Sequence, residues 1–154
     1  MSEARFPGCV RCEAIRHGSA EYDATVALRD EVLRKPLGLR LTEEQLRAES
    51  ADHHVACFLD GRIIACLVLT PESGRVARMR QVAVAAEHRR QGIGTDLVRY
   101  AERFAAAHGY TEVTAHAREP AVPFYKRLGY AIVGERFVEV GIPHFTVRKE
   151  LVPA

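Results

Sequence analysis

The stretch AAEHRRQGIGTDLVRY, residues 85–100, sets two arginines, a glutamine and two glycines directly before a helix-like pattern. That combination is suited to holding an anion. Gly92 and Gly94 remove side chains where a ligand would approach the backbone. The N–H groups of about Gln91 to Thr95 are the donors a helix start leaves without intrahelical partners. Arg89 and Arg90 add positive charge nearby. Together these residues fit a diphosphate. The loop is not a P-loop, since no G-K-S/T follows. It is not a complete dinucleotide fingerprint either, because Leu97 stands where G-x-G-x-x-G asks for its third glycine. A basic turn capping an ordinary helix would have the same residues.

Four cysteines offer a second chemistry. Cys9 and Cys12 make a C-x-x-C, either a metal half-site or a redox pair. A zinc site usually needs a second such pair. Cys57 and Cys66 lie in apolar, strand-like runs and read as small buried hydrophobes. No bound metal is expected.

The elements that must position these residues follow from periodicity and punctuation. VRCEAIR reads as a first strand. Ser19 can cap a helix from about Ala20 to Arg34, with Tyr22, Val26 and Leu33 as its apolar stripe and Arg29 on the same stripe. Pro36 ends it. Thr42 and Gln45 have capping-box spacing for a short second helix. HVACFLDGRIIACLVLT is a hairpin around Asp60-Gly61, which supplies the two positive-φ residues of a type I′ turn. GRVARMRQVAV is a third, longer strand of that meander. The helix after the glycine loop carries Ile93, Leu97, Ala101, Phe104 and His108 on one face and stops at Gly109. YTEVTAHAR is the next strand, reached through that helix and therefore parallel to its predecessor. EPAVPFYKRLG is a helix with prolines at its start. YAIVGERFVEV and HFTVRKEL close the chain as a strand pair around GIP, with His144 in a tight Pro-containing turn. The expectation is one domain over residues 1–154: about seven strands and four helices in a mixed, largely antiparallel sheet, an α+β or α/β layer fold.

Taken together, RQVAVAAEHRRQGIGTDLV resembles the acetyl-CoA-binding motif of the GNAT superfamily of N-acetyltransferases, Q/R-x-x-G-x-G/A after a V-A-V-type strand. Here it is Arg89-Arg90-Gln91-Gly92-Ile93-Gly94. Downstream, AREPAVPFYKRLGYAIVGE resembles the family's second signature, A-x-x-F-Y-x-x-x-G-F/Y. The two motifs stand in the family's order, and with the hairpin upstream the likeness covers most of residues 10–150.

The resemblance implies an acetyltransferase domain that takes acetyl-CoA as cosubstrate. Main-chain groups of Val82, Ala83 and Val84 would pair with the pantetheine arm where this strand splays from the next. The amides from Arg90 to Thr95, Ile93 among them, would hold the pyrophosphate. An N–H near Val84 would polarise the thioester carbonyl, help worth roughly 3–4 kcal/mol where one such donor has been removed in other enzymes. Tyr125 matches the tyrosine near the CoA sulfur, and a phenol can protonate a departing thiolate. Phe124 reads as packing. Arg118 stands where many relatives carry an Asn near the start of the second signature, so an amide's donor-acceptor pairing is replaced by donors alone.

An amine acceptor, small molecule or peptide, arrives as an ammonium and must lose a proton. Glu139, His116 and His144 are the candidate bases, and a water chain is a fourth route. Histidine suits proton relay at neutral pH. Acceptor selectivity is expected from the region before the hairpin. There Arg29 either binds an acceptor carboxylate or snorkels to solvent along its stem. Asp52, His53 and His54 either line a cleft mouth or form a solvated loop. RDEVLRKPLGL resembles a stretch in a GNAT subgroup of small members.

Bulk properties fit this reading. The 154 residues are 47% hydrophobic and 27% charged, with a formal net charge of +2. That charge is too small to argue for nucleic acid or membrane as partner. No apolar run approaches the roughly 20 residues of a spanning helix. The N-terminus lacks a secretory pattern, so a cytoplasmic location is expected. The sequence is silent on oligomer state, although homodimers are common among the proteins it resembles. The alternative function is a CoA-binding regulatory module without turnover.

Overall fold

The computed structural model describes residues 10–154. Its strands are β1 (Val10–Ile15), β2 (His53–Leu59), β3 (Arg62–Ser73), β4 (Val76–Val84), β5 (Glu112–Arg118), β6 (Ala131–Glu139) and β7 (Ile142–Glu150). The helices are α1 (Ala20–Arg29), α2 (Glu43–Ala48), α3 (Ile93–Ala107) and α4 (Val122–Arg127). The strands make one mixed sheet in the order β1-β2-β3-β4-β5-β7-β6. The chain divides into two compact units, one reaching to Thr70 and including Gln81–Ala101, the other made of Pro71–Arg80 and Glu102–Ala154.

In the first unit β1, β2 and β3 pair antiparallel in succession. Asp60 and Gly61 join β2 to β3 with φ of 51° and 78°, as a type I′ turn requires. Ser19 caps α1 by accepting the Tyr22 N–H at 3.1 Å. The helix expected to reach Arg34 does not stay α-helical. After Arg29 it widens into a π-helical turn at Asp30–Arg34 and then tightens into a 3-10 turn at Lys35–Leu37. Pro36 is the physical reason. It brings no N–H to bond back up the helix, so the hydrogen-bond pattern must change before it. Thr42 and Gln45 form both bonds of the capping box, at 3.1 and 2.9 Å. Ile93, Leu97, Val98 and Ala101 bury one face of α3. Each large aliphatic side chain so buried contributes on the order of 1.5–3 kcal/mol.

Cysteine chemistry departs from expectation here. Cys12 pairs with Cys57 across β1 and β2, where the two residues face each other in register, and they form a disulfide. The pairing partner of Cys12 is thus forty-five positions away, a contact made by sheet register that local spacing does not reveal. Cys66 is free and buried, as expected. Cys9 lies outside the described residues. Among those residues no group of three or more His, Cys, Asp or Glu is placed to hold a metal.

In the second unit β4 and β5 pair in parallel from Val76↔Glu112 to Met79↔Ala115. This is the direction a crossover through α3 dictates. Beyond Met79, β4 runs on for Arg80–Val84 with no further β5 partner in that ladder. β5 then pairs antiparallel with β7 along its whole length, and β7 with β6. The β6–β7 turn is Val140-Gly141, with φ of 46° and 73°. Pro143 is already in the strand, opposite Val138. His144 therefore sits within β7, not in a turn. Glu102 of α3 accepts from Tyr130 at 2.7 Å and from Lys149 at 2.9 Å, and Lys149 also donates to the Leu128 carbonyl. Gly129 precedes Tyr130 with φ of 98°, and a Cβ there would meet the Lys149 stem at 3.4 Å. The glycine and tyrosine that end the second signature are thus structural. No described helix is long and apolar enough to cross a membrane.

Candidate active site

The first unit carries the glycine loop. Arg90 and Gly92 adopt φ of 62° and 81°, so the loop turns twice through left-handed backbone before α3 begins. Within α3 the Asp96 N–H bonds to the Gly92 carbonyl at 3.0 Å. The N–H groups of Ile93, Gly94 and Thr95 precede that first bond and have no carbonyl four residues back within the helix. They share the positive end of a fifteen-residue helix. Arg89 and Arg90 are exposed beside them. A pyrophosphate fits this donor set. Ile93 and Leu97 point inward, so Leu97, at the would-be third glycine, is core.

The strand leading into the loop is less regular than its residues suggest. Gln81 has φ of 55° inside β4, a conformation rare for a non-glycine residue. Its Oε1 is buried without a hydrogen-bond partner. Such an interruption re-aims the residues that follow it, here Val82, Ala83 and Val84. Ala83 is buried against Ala56, Phe58 and Cys66, while Val82 and Val84 are half-buried. The Val84 carbonyl accepts from Arg89 Nε at 3.3 Å.

The second unit carries the titratable side chains. Tyr125 is 6% exposed, with Phe124 edge-on at 5.1 Å and Tyr130 at 5.5 Å. Burial pushes its phenol up to about 12, so the hydroxyl keeps its proton at neutral pH and is available as an acid. The three candidate bases, scattered over β5, β6 and β7, come together. His116 Nδ1 lies 2.9 Å from Glu139 Oε1, and His144 Nε2 lies 3.9 Å from Glu139 Oε2. His144 is 3% exposed, and its Nδ1 donates to the Ile142 carbonyl at 2.7 Å. Its remaining nitrogen therefore faces Glu139. Burial raises the Glu139 carboxyl, but the His116 bond and the surrounding positive groups outweigh this and hold it below the usual carboxylate range. Arg118 ends β5 opposite His144.

Sequence reasoning missed Arg78 of β4, whose Nη2 lies 2.7 Å from His116 Nδ1. The only signal was its place in the alternating ARMRQ run, too weak to read. Arg29 was expected at an acceptor or reaching to solvent along its stem. Instead it is 1% exposed and gives two hydrogen bonds to Glu49, at 2.6 and 3.2 Å. Tyr22 donates to the same carboxylate at 2.6 Å. The inward stripe of α1 leaves this guanidinium no route to water, so a carboxylate must be brought to it. His54 is likewise not in a solvated loop: it lies in β2, buried, with Nε2 3.0 Å from the Glu49 carbonyl oxygen. Asp52 accepts from Thr70 at 3.0 Å.

Known proteins are similar to this chain in sequence and in fold. The uncharacterized N-acetyltransferase YjcF of Bacillus subtilis (strain 168) is 27% identical over 124 residues, 80% of this chain and 88% of YjcF. Rat N-acetyltransferase 8 is 36% identical over 84 residues, which is 52% of this chain and 38% of that protein. The crystal structure of a Lactobacillus plantarum protein assigned as an N-acetyltransferase superposes with a TM-score of 0.84 at 25% identity, covering 94% of this chain and 99% of its own. An aminoglycoside 6'-N-acetyltransferase complexed with coenzyme A has the same fold, with a TM-score of 0.79 at 16% identity, covering 94% of this chain and 98% of its own. The family model described as Acetyltransferase (GNAT) family matches residues 19–130. That span holds the α1 cap, the hairpin, the glycine loop and the Tyr125 signature, and on it the chain belongs to the GNAT acetyltransferase family.

Proposed function

We propose that the protein transfers the acetyl group of acetyl-CoA to the amine of a small molecule or peptide by direct attack, working as one domain. The matched span crosses both compact units, which supports the single-domain reading. The observation that carries the proposal is the set of helix-start amides at Ile93, Gly94 and Thr95, opened by left-handed Arg90 and Gly92. With Arg89 and Arg90 they would hold the pyrophosphate, and Gln91 lies in the same turn. The Val82–Val84 backbone would receive the pantetheine arm, and an N–H near Val84 would stabilise the oxyanion.

His116 serves as the base in this reading. A proton on Nδ1 donated to Glu139 leaves Nε2 with the lone pair that accepts the ammonium proton, the geometry in which a carboxylate orients an imidazole. His144 Nε2 faces the second Glu139 oxygen at 3.9 Å. The freed amine attacks the thioester carbonyl, and the departing thiolate takes a proton from Tyr125. Arg118 contributes positive charge at the end of β5.

Gly92→Val tests the loop. A β-branched side chain at φ of 81° resists the left-handed turn. CoA affinity by calorimetry should fall at least tenfold, about 1.4 kcal/mol, with the far-ultraviolet spectrum unchanged. Undiminished affinity would remove the loop assignment. A non-catalytic CoA-binding module would instead show tight CoA binding and no CoA release across a broad amine panel.

A further inference from the structure

His116 Nδ1 is claimed twice. Arg78 Nη2 lies 2.7 Å from it and Glu139 Oε1 lies 2.9 Å from it. One ring nitrogen carries either a proton or a lone pair. A guanidinium has donors only and stays charged, so Arg78 requires the lone pair. A carboxylate has acceptors only, so Glu139 requires the proton. A neutral ring satisfies one of them at a time.

Arg78 has somewhere else to go. Its Nη2 is 3.9 Å from Glu139 Oε1, so a small shift closes a direct ion pair. Its Nε is buried with no hydrogen-bond partner, so the guanidinium is not fully satisfied where it stands. The other groups facing this cluster have contacts of their own. His144 of β7 is pinned by its bond to the Ile142 carbonyl, and Phe137 of β6 sits edge-on to the His116 ring at 5.0 Å. The groups that can exchange partners here are Arg78 and the ring proton.

We propose that Arg78 is a positioning residue that sets the tautomer of His116. When Arg78 donates to Nδ1, the ring proton sits on Nε2 and the ring has no lone pair to offer an acceptor ammonium. When Arg78 swings to Glu139, Nδ1 takes the proton, donates to Glu139 and leaves Nε2 as the base. The exchange releases one proton from Nε2 to water and takes one from water onto Nδ1, so the ring charge is unchanged. The inference rests on the reading of His116 as base, and its test is read without turnover.

The test is nitrogen–proton correlation spectroscopy on protein labelled with 15N-histidine, with His116→Asn identifying the ring signals. Wild type should show both tautomers, because both contacts to Nδ1 lie within hydrogen-bond distance. Arg78→Met should raise the ratio of Nδ1-protonated to Nε2-protonated ring at least tenfold, and Glu139→Gln should not produce that rise. Arg78→Gln serves as a second variant, with circular dichroism confirming the fold of each. Equal tautomer ratios in wild type and both Arg78 variants would overturn the proposal. If the ratio moves but CoA release with a lysine-containing peptide is the same in wild type and His116→Gln, Arg78 still sets the tautomer and the base assignment falls instead.

Discussion

Tyr125 and Glu139 show how surroundings assign opposite duties to two acids. Around Tyr125 there are rings and no charged partner, so burial alone lifts its phenol to about 12. Around Glu139 burial raises the carboxyl, but the His116 hydrogen bond and the electrostatic pull of its neighbours outweigh this and keep it ionised. One group keeps its proton and the other never holds one near neutrality. Tyr125→Phe should lower kcat by about 10²-fold, the lower end for general acid catalysis, and leave the CoA dissociation constant unchanged. Because the phenol stays protonated well past pH 10, its loss should change the height of the pH–rate curve and not its limbs. Unchanged turnover in stopped assays would remove Tyr125 as the acid. Its position could be read from the second signature, because the tyrosine and its helix are local. The cluster around Glu139 could not: Arg78, His116, Glu139 and His144 come from four strands, and only sheet register brings them together.

Among the elements, α1 and α2 owe their attachment to an ion pair that periodicity only half revealed. Arg29 fell on the apolar stripe, and the stripe did bury it, but its partner lies twenty residues on, just past α2. Burial works against both charges. The mutual hydrogen bonds and that of Tyr22 outweigh it, keeping Glu49 below the usual carboxylate range and Arg29 above its ordinary value. Removing one partner leaves the other charge buried alone. Glu49→Ala should cost about 3–5 kcal/mol in urea unfolding. The joint replacement Arg29→Met with Glu49→Leu should cost much less, since it buries no charge; equal costs would mean the pair is not what anchors α2. Turn residues were legible where their chemistry is typical, as at Asp60-Gly61. The Val140-Gly141 turn was not, because a β-branched residue at φ of 46° contradicts its own preference.

For the molecule as a whole, acid acts through two buried groups in the same direction. Burial lowers His54 below its ordinary value, more than its contact with the Glu49 carbonyl offsets. The unfolded chain therefore protonates His54 more readily than the native one. Its contribution is complete above about pH 6.5 and is lost as pH falls toward the native value. Glu49, also lowered, contributes fully above about 4.3 and loses that contribution as pH falls through its native value. The urea midpoint should therefore drop between pH 7 and 5, and further below 4.5. His54→Gln should flatten the first span and spare the second; a wild-type midpoint that rises from pH 7 to 5 would contradict the burial of a neutral His54.

The bond between Cys12 and Cys57 makes a closed ring of everything from the middle of β1 through both early helices into β2. A protease that cuts once anywhere in that ring, for instance after exposed Arg40, opens the backbone without dividing the molecule. On a denaturing gel the nicked protein should migrate as one band until a thiol is added, and then as two. Such a nick would also free the segment between the two cysteines to move while both of its ends stay tethered to the sheet.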